Sequence, residues 1–135
     1  MENPHLTFQI TRGTPTSKII VANTGVYNFQ FSAQLDKTGG SASSVYIWPR
    51  VNGVNLPNSA TKVVIDGPNN EIVPAWNFVL VMEARDYFEL AWQSSDTDVV
   101  IREEAASGNI PEIPSIILTV NWVSNYGSAI YQAAT

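Results

Sequence analysis

The sequence contains no cysteine, which excludes disulfide staples and thiolate metal sites and leaves the redox compartment open. Stability must therefore come from packing or from assembly. It also contains a single histidine, His5. A nucleophile, base and orienting acid of the usual hydrolase kind cannot be assembled from such a set, and a zinc site would need several nitrogen or sulfur ligands. The expectation is a chain that is not an enzyme and holds neither metal nor cofactor.

Charge is scarce too. Only 14% of the 135 residues are charged, against about 25% in ordinary soluble domains, so the surface must be dressed with Asn, Gln, Ser and Thr. Seven basic residues face twelve acidic ones, for a net charge of -5. The basic residues (Arg12, Lys18, Lys37, Arg50, Lys62, Arg85, Arg102) are scattered, and none builds the positive stripe that phosphate neutralisation requires. Nucleic acid is not an expected partner. The longest apolar runs, such as FVLVM at 78–82, are far short of a membrane span, and the first residues show no basic stretch followed by an apolar one. No membrane contact is expected, and synthesis in the cytoplasm without a signal peptide is. Helical spacing of apolar residues is missing as well; no segment keeps it for more than about a turn.

What is present is strand patterning from end to end. Strands are expected near 6–11, 18–22, 26–35, 44–51, 61–65, 75–82, 87–93, 98–102 and 115–123, separated by turn formers such as NTG, DKTGGSAS, VNG, DGPNN and SSDTD. Strands about ten residues apart, with no room for crossover helices, predict an antiparallel sandwich or jelly roll. One domain is expected, with an N-terminal arm and first strand at 1–17, the main body at 18–124 and a tail at 125–135.

The stretch GVYNFQFSAQL (25–35) alternates cleanly. Tyr27, Phe29, Phe31, Ala33 and Leu35 share one parity and predict a core face; Asn28, Gln30, Ser32 and Gln34 share the other and predict a face toward water. Other strands are apolar on both parities. VYIWPRV sets Val45, Ile47 and Val51 against Tyr46 and Trp48; WNFVLVM sets Trp76, Phe78, Leu80 and Met82 against Val79 and Val81; SIILTVNWV sets Ile116, Leu118, Val120 and Trp122 against Ile117 and Val123. A strand with two apolar faces in a domain of this size needs a second burying surface, and subunit contact supplies one. The aromatic residues Tyr46, Trp48, Tyr87, Trp92 and Trp122 are the candidate contacts.

The remaining polar clusters read as turns. Glu83, Asp86 and Glu89 sit near one strand and could be imagined as a catalytic carboxylate pair, but exposed strand carboxylates are far commoner. Asp96 and Asp98 could offer oxygens to calcium, yet the glycine and downstream glutamate of a calcium loop are missing, and a self-capping turn is expected. Gly39-Gly40 reads as a solvent-facing loop, and DGPNN as a turn with no phosphate-binding lysine after it.

Taken in order, GVYNFQFSAQL, VYIWPRVNGVNL, ARDYFELAW and PSIILTVNWV resemble the strand series of the complement C1q and tumour-necrosis-factor superfamily. The Gly-x-Tyr-x-Phe strand of that family is matched by Gly25, Tyr27 and Phe29, its Asn-Gly hairpin by Asn52-Gly53, and its Gly-Asp-x-Val-x-Leu strand by Asp86, Phe88 and Leu90, with Arg85 where the family has glycine. The likeness spans about residues 18–123. It is nearest to small phage-encoded proteins that share the strand YNFQFSAQLDKT, a VWIRKNG-like hairpin and an AAWNF segment, the last matched here by Pro74-Ala75-Trp76-Asn77-Phe78.

The resemblance implies an all-β jelly roll of nine or ten strands that assembles as a homotrimer about a threefold axis, and a virion surface protein made in the host cytoplasm. Its expected function is non-enzymatic capsid cement or decoration, fastening major capsid proteins, with the strand at 25–35 in the sheet away from the axis. In such a fold the first and last strands are neighbours, so both chain ends emerge together, and Asn3, His5, Tyr126, Ile130 and Tyr131 become candidate capsid-contact arms. The alternative is a receptor- or carbohydrate-binding head of a phage fibre, with a host glycan as partner at loops such as DKTGGSAS and NLPNSA.

Overall fold

The computed structural model describes residues 10–125, and among them it is all-β with no helix. The strands are β1 (Ile10–Arg12), β2 (Ile19–Val21), β3 (Gly25–Ala33), β4 (Leu35–Lys37), β5 (Ser43–Val51), β6 (Val54–Asn55), β7 (Thr61–Ile65), β8 (Asn70–Ile72), β9 (Ala75–Met82), β10 (Tyr87–Ser94), β11 (Val99–Ile101) and β12 (Ile116–Ser124). Every pairing is antiparallel. The three strands that patterning does not single out are short. β4 prolongs β3 beyond an interruption at Gln34, β6 is the two-residue return of the Asn52-Gly53 hairpin, and β8 begins inside the DGPNN turn.

The strands form two layers. One is a six-stranded sheet in the order β1-β2-β10-β5-β6, with β7 also paired to β5. The other begins as β12-β3-β9 and continues as β11-β4-β8. The change of partners falls at Gln34, whose N–H donates to Ser115 O at 2.8 Å and whose carbonyl accepts from Arg102 N at 3.0 Å. Just past it, Arg102 Nη1 meets Asp36 Oδ2 at 2.7 Å.

Between the layers lies the core, and β3 runs through its centre. Tyr27, Phe29, Phe31, Ala33 and Leu35 are at most 2% exposed, as strict alternation requires of a strand with one face on the core. Phe29 stacks on Phe88 of β10, ring centroids 4.1 Å apart and planes 10° from parallel, so an aromatic pair joins the two sheets. Phe31 meets Trp76 edge to face at 4.7 Å. The Tyr27 hydroxyl donates to Asn23 O at 2.6 Å; burial raises its pKa above the ordinary phenol value although that bond works the other way.

The short motifs acquire local reasons. At Gly25 a Cβ would lie 2.6 Å from Trp122 Nε1 and 2.9 Å from Ser124 O, so the start of β3 admits no side chain beneath the indole of β12. The Asn-Gly hairpin and the turn before β10 are bound to each other. Asn52 Nδ2 donates to Asp86 Oδ1 at 2.9 Å, Tyr87 N donates to Asn52 Oδ1 at 3.1 Å, and Glu83 N donates to Asp86 Oδ2 at 2.9 Å. Asp86 thus ties two turns, which is why an aspartate is needed there.

Arg85 completes that turn with φ +74°, a left-handed backbone that costs a residue with a Cβ about 1 kcal/mol or more. Glycine carries no such penalty, although it loses more entropy on folding. Arg85→Gly should raise the unfolding free energy by about 0.5–1 kcal/mol, read as a higher urea midpoint at unchanged slope. A lower midpoint would mean that the Arg85 side chain contributes more than its backbone strain removes.

Candidate association face

The outward face of the β12-β3-β9 sheet is the most distinctive surface of the described residues. Register fixes its rows: Ile117, Ser32 and Ala75 in one, Thr119, Gln30 and Asn77 in the next, then Asn121, Asn28 and Val79, and finally Ser124, Val26 and Val81, of which Val26 is only 1% exposed. No charged side chain occurs in these rows. Ile117 is 53% exposed and Val81 56%, and Val123, at the irregularity between Trp122 and Ser124, is 47% exposed. At the centre the amides are ordered among themselves, with Asn77 Nδ2 donating to Asn28 Oδ1 at 2.8 Å. Apolar side chains at both ends of the rows and amides between them make a surface that can be dried against a like surface without stranding a charge.

The outward face of the six-stranded sheet differs. Glu89 lies opposite Arg50 and Lys62 opposite Tyr46, and Glu89 accepts from Ser17 Oγ at 2.8 Å. Of the sequence-predicted aromatic contacts, Tyr46, Trp48 and Tyr87 lie on this charged face. All three are half-buried; Trp48 Nε1 donates to Asn55 Oδ1 at 2.8 Å and Lys18 Nζ sits 4.4 Å from the Tyr87 ring centroid. Trp92 lies opposite the buried Ile47, and Trp122 opposite the buried Tyr27. Both therefore have core-side parity, although Trp92 is 39% and Trp122 43% exposed. The five aromatic side chains are divided between two sheets and two parities and do not form one surface. Asn3, His5, Tyr126, Ile130 and Tyr131 lie outside the described residues.

Sequence reasoning did not select Asn28, Gln30, Asn77, Val79, Val81 or Ile117 as a unit. The signal was there in part: β9 and β12 are two of the strands apolar on both parities, and pairing places β3 between them. The amide face of β3 is thus flanked by apolar strands on both sides.

The acidic turn caps itself and also reaches a buried amine. Asp98 N donates to Asp96 Oδ1 at 2.8 Å, and Ser43 Oγ donates to Asp96 Oδ2 at 2.6 Å. Lys37, with no exposed side-chain surface, donates from Nζ to Ser43 Oγ at 2.6 Å, and its Nζ lies 4.0 Å from Asp98 Oδ2. A lysine ammonium therefore occupies the ground beside these carboxylates, and Gly40, at φ +72°, gives Asp98 room to approach. Among the described residues no cluster of three or more His, Cys, Asp or Glu is placed to hold a metal ion.

The hydrogen bond from Ser43, followed by that from the Asp98 amide, holds the Asp96 carboxyl below its usual range. A depressed carboxyl pKa contributes stability that is present above the unfolded value and is lost as pH falls through the folded one. Order in the 94–98 turn should accordingly decline below about pH 4. In Ser43→Ala the Asp96 carboxyl should titrate closer to its ordinary value by carbon-detected NMR; an unchanged titration would contradict the assigned cause.

Among the described residues, grooves open where the layers part. One, of about 710 Å³, lies between β1, β2 and β10 on one side and Ile116, Leu118 and Val120 of β12 on the other. The second, of about 460 Å³, runs along β9 and is lined by Pro49, Asn58, Ser59, Trp76 and Leu80 among others; Trp76 Nε1 is buried without a hydrogen-bond partner. No family model matches the chain, and no curated protein matches it.

Proposed function

We propose that this chain is a non-enzymatic jelly-roll protein of a bacteriophage virion, a homotrimer that decorates the capsid by contacts to the major capsid protein, and that each protomer buries the outward face of β12-β3-β9 against its neighbours. The observation that carries the reading is that face: uncharged along its register rows, with Ile117 and Val81 more than half exposed. Exposed apolar side chains on a sheet face that carries no charge suit an association surface, since burying them strands no charge.

The strand order supports a jelly roll, because successive long strands alternate between layers. β3, β9 and β12 lie in one and β5 and β10 in the other, with β10 inserted between β2 and β5, the interleaving that Greek-key connections produce. The Asn52-Gly53 and Asp86 pairing supports the superfamily resemblance, since two separate motifs of that series meet in one bonded cluster. In this reading the strand at 25–35 belongs to the sheet that faces the axis, and Gln30 and Asn28 meet neighbouring subunits. Trimer, capsid and phage are carried by the resemblance.

A second reading is favoured by one feature. The groove beside the loop at 56–61 combines Trp76 with Asn58 and Ser59, an aromatic surface with hydroxyl and amide groups that suits a glycan, as a fibre head would require. Immunogold labelling of intact virions separates the two. Label distributed over the head supports decoration, label confined to tail or fibre tips supports the glycan-binding head, and unlabelled particles contradict both.

A further inference from the structure

Asparagine followed by glycine occurs once in the chain, at Asn52-Gly53. The pair is chemically labile. Gly53 N, unobstructed by a side chain, can attack Asn52 Cγ; the Cγ–Nδ2 bond breaks, the proton of the glycine amide leaves with Nδ2 as ammonia, and a five-membered succinimide remains that water opens to aspartate or isoaspartate. The step needs Gly53 N placed against the face of the carboxamide, a near-attack geometry.

The fold cannot dispense with either residue. The two-residue hairpin between β5 and β6 has φ +52° at Asn52 and φ +77° at Gly53, the pair of positive values that a tight primed turn requires and that Asn-Gly adopts readily. A Cβ on Gly53 would also lie 3.2 Å from the Tyr87 hydroxyl. Asn52 is needed for its carboxamide, which joins the hairpin to the turn before β10. The same contacts oppose the reaction. Nδ2, the leaving group, is held at 2.9 Å by Asp86 Oδ1, and Oδ1 accepts from Tyr87 N at 3.1 Å, so the carboxamide cannot turn its face to Gly53 N without giving up both bonds. The main chain is fixed on either side of the attacking nitrogen: Asn52 N donates to Tyr87 O at 2.9 Å, and Arg50 Nη2 donates to Gly53 O at 2.6 Å.

We infer that Asn52-Gly53 is a latent deamidation site guarded by Asp86: the carboxamide is converted only in those molecules in which the Asp86 cluster has opened. Conversion is one-way. The product carries a carboxylate where Nδ2 stood, so two like charges face each other with no donor between them and the cluster does not re-form. Isoaspartate also adds a carbon to the backbone of the turn. The hairpin and the turn before β10 then part, and altered molecules accumulate with time. Neither turn belongs to the outward face of β12-β3-β9, so the inference stands apart from the proposed assembly.

The test incubates the full-length protein in mildly alkaline buffer and follows aspartate plus isoaspartate at position 52 by mass-spectrometric peptide mapping. The folded chain should convert at least about tenfold more slowly than the same chain unfolded in urea, and Asp86→Ala, shown to be folded by circular dichroism, at least about tenfold faster than the native protein. Equal rates for the folded and unfolded chain, or an Asp86→Ala rate no higher than the native one, would overturn the proposal. A second measurement needs no variant. In the native protein at urea concentrations below the unfolding transition, the conversion rate should rise with a slope well below that of global unfolding, as the opening of a local cluster does. A slope equal to the global one would assign the protection to the whole sandwich and overturn the role given to Asp86.

Discussion

Phe29→Ala should lower the unfolding free energy by about 3–5 kcal/mol, the range for deleting a fully buried phenyl ring. Phe29 has no exposed surface, stacks on Phe88 of the facing sheet at 4.1 Å and stands 6.3 Å from the Tyr27 ring. Its loss removes the apolar transfer term and opens a cavity between two layers that the remaining ring contacts keep apart. Domains of this size are stable by only about 5–15 kcal/mol, so the substitution removes a large share of the total. Urea unfolding at fixed protein concentration measures it, since assembly makes apparent stability concentration-dependent. A loss below about 1 kcal/mol would mean that the layers collapse onto the gap and that the Phe29–Phe88 contact is not a pillar of the core.

Gln30→Glu should convert the proposed trimer to folded monomers. Gln30 is exposed at the centre of β3, opposite Asn77 and Thr119, so in a free protomer the new carboxylate stays in water and costs stability within about 0.5 kcal/mol. In the proposed assembly the same group would be desolvated in every subunit close to its symmetry mates, at several kcal/mol per uncompensated charge. Lys62→Glu, on the outward face of the six-stranded sheet, is the matched control and should leave the assembly intact. Circular dichroism checks that each variant is folded, and sedimentation gives its mass. Dissociation by Lys62→Glu with none by Gln30→Glu would move the interface to the face that carries Tyr46 and Trp48.

The two predictions rest on opposite sides of one strand, and they mark what could be read from the sequence. The inward side of β3 was legible because alternation reports burial within the domain directly: Tyr27, Phe29, Phe31 and Leu35 are where period-two spacing puts them. The strands apolar on both parities were legible as well, since β9 and β12 carry Val79, Val81 and Ile117 on the side away from the core. What spacing cannot carry is which strands become neighbours. Pairing that brings β12 from the end of the chain beside β3 is non-local, and only with that pairing do Asn28, Gln30 and Asn77 form one surface with the flanking valines and isoleucine. Aromatic residues taken singly do not mark one surface either. Trp92 and Trp122 have core-side parity, and Trp48 is engaged by Asn55 in its own hairpin. Arg85 gives a contrasting lesson: a residue that departs from its motif still adopts the left-handed turn, because Asp86, Asn52 and the Val21 carbonyl, which accepts from Arg85 N at 2.7 Å, fix the backbone around it.

The central claim is self-association through the uncharged face, and its most direct test is the mass of the native chain in solution. Light scattering across a wide concentration range should give three times 14.8 kDa, falling to a single protomer in Gln30→Glu. A native chain that remains at 14.8 kDa at every concentration would contradict the account.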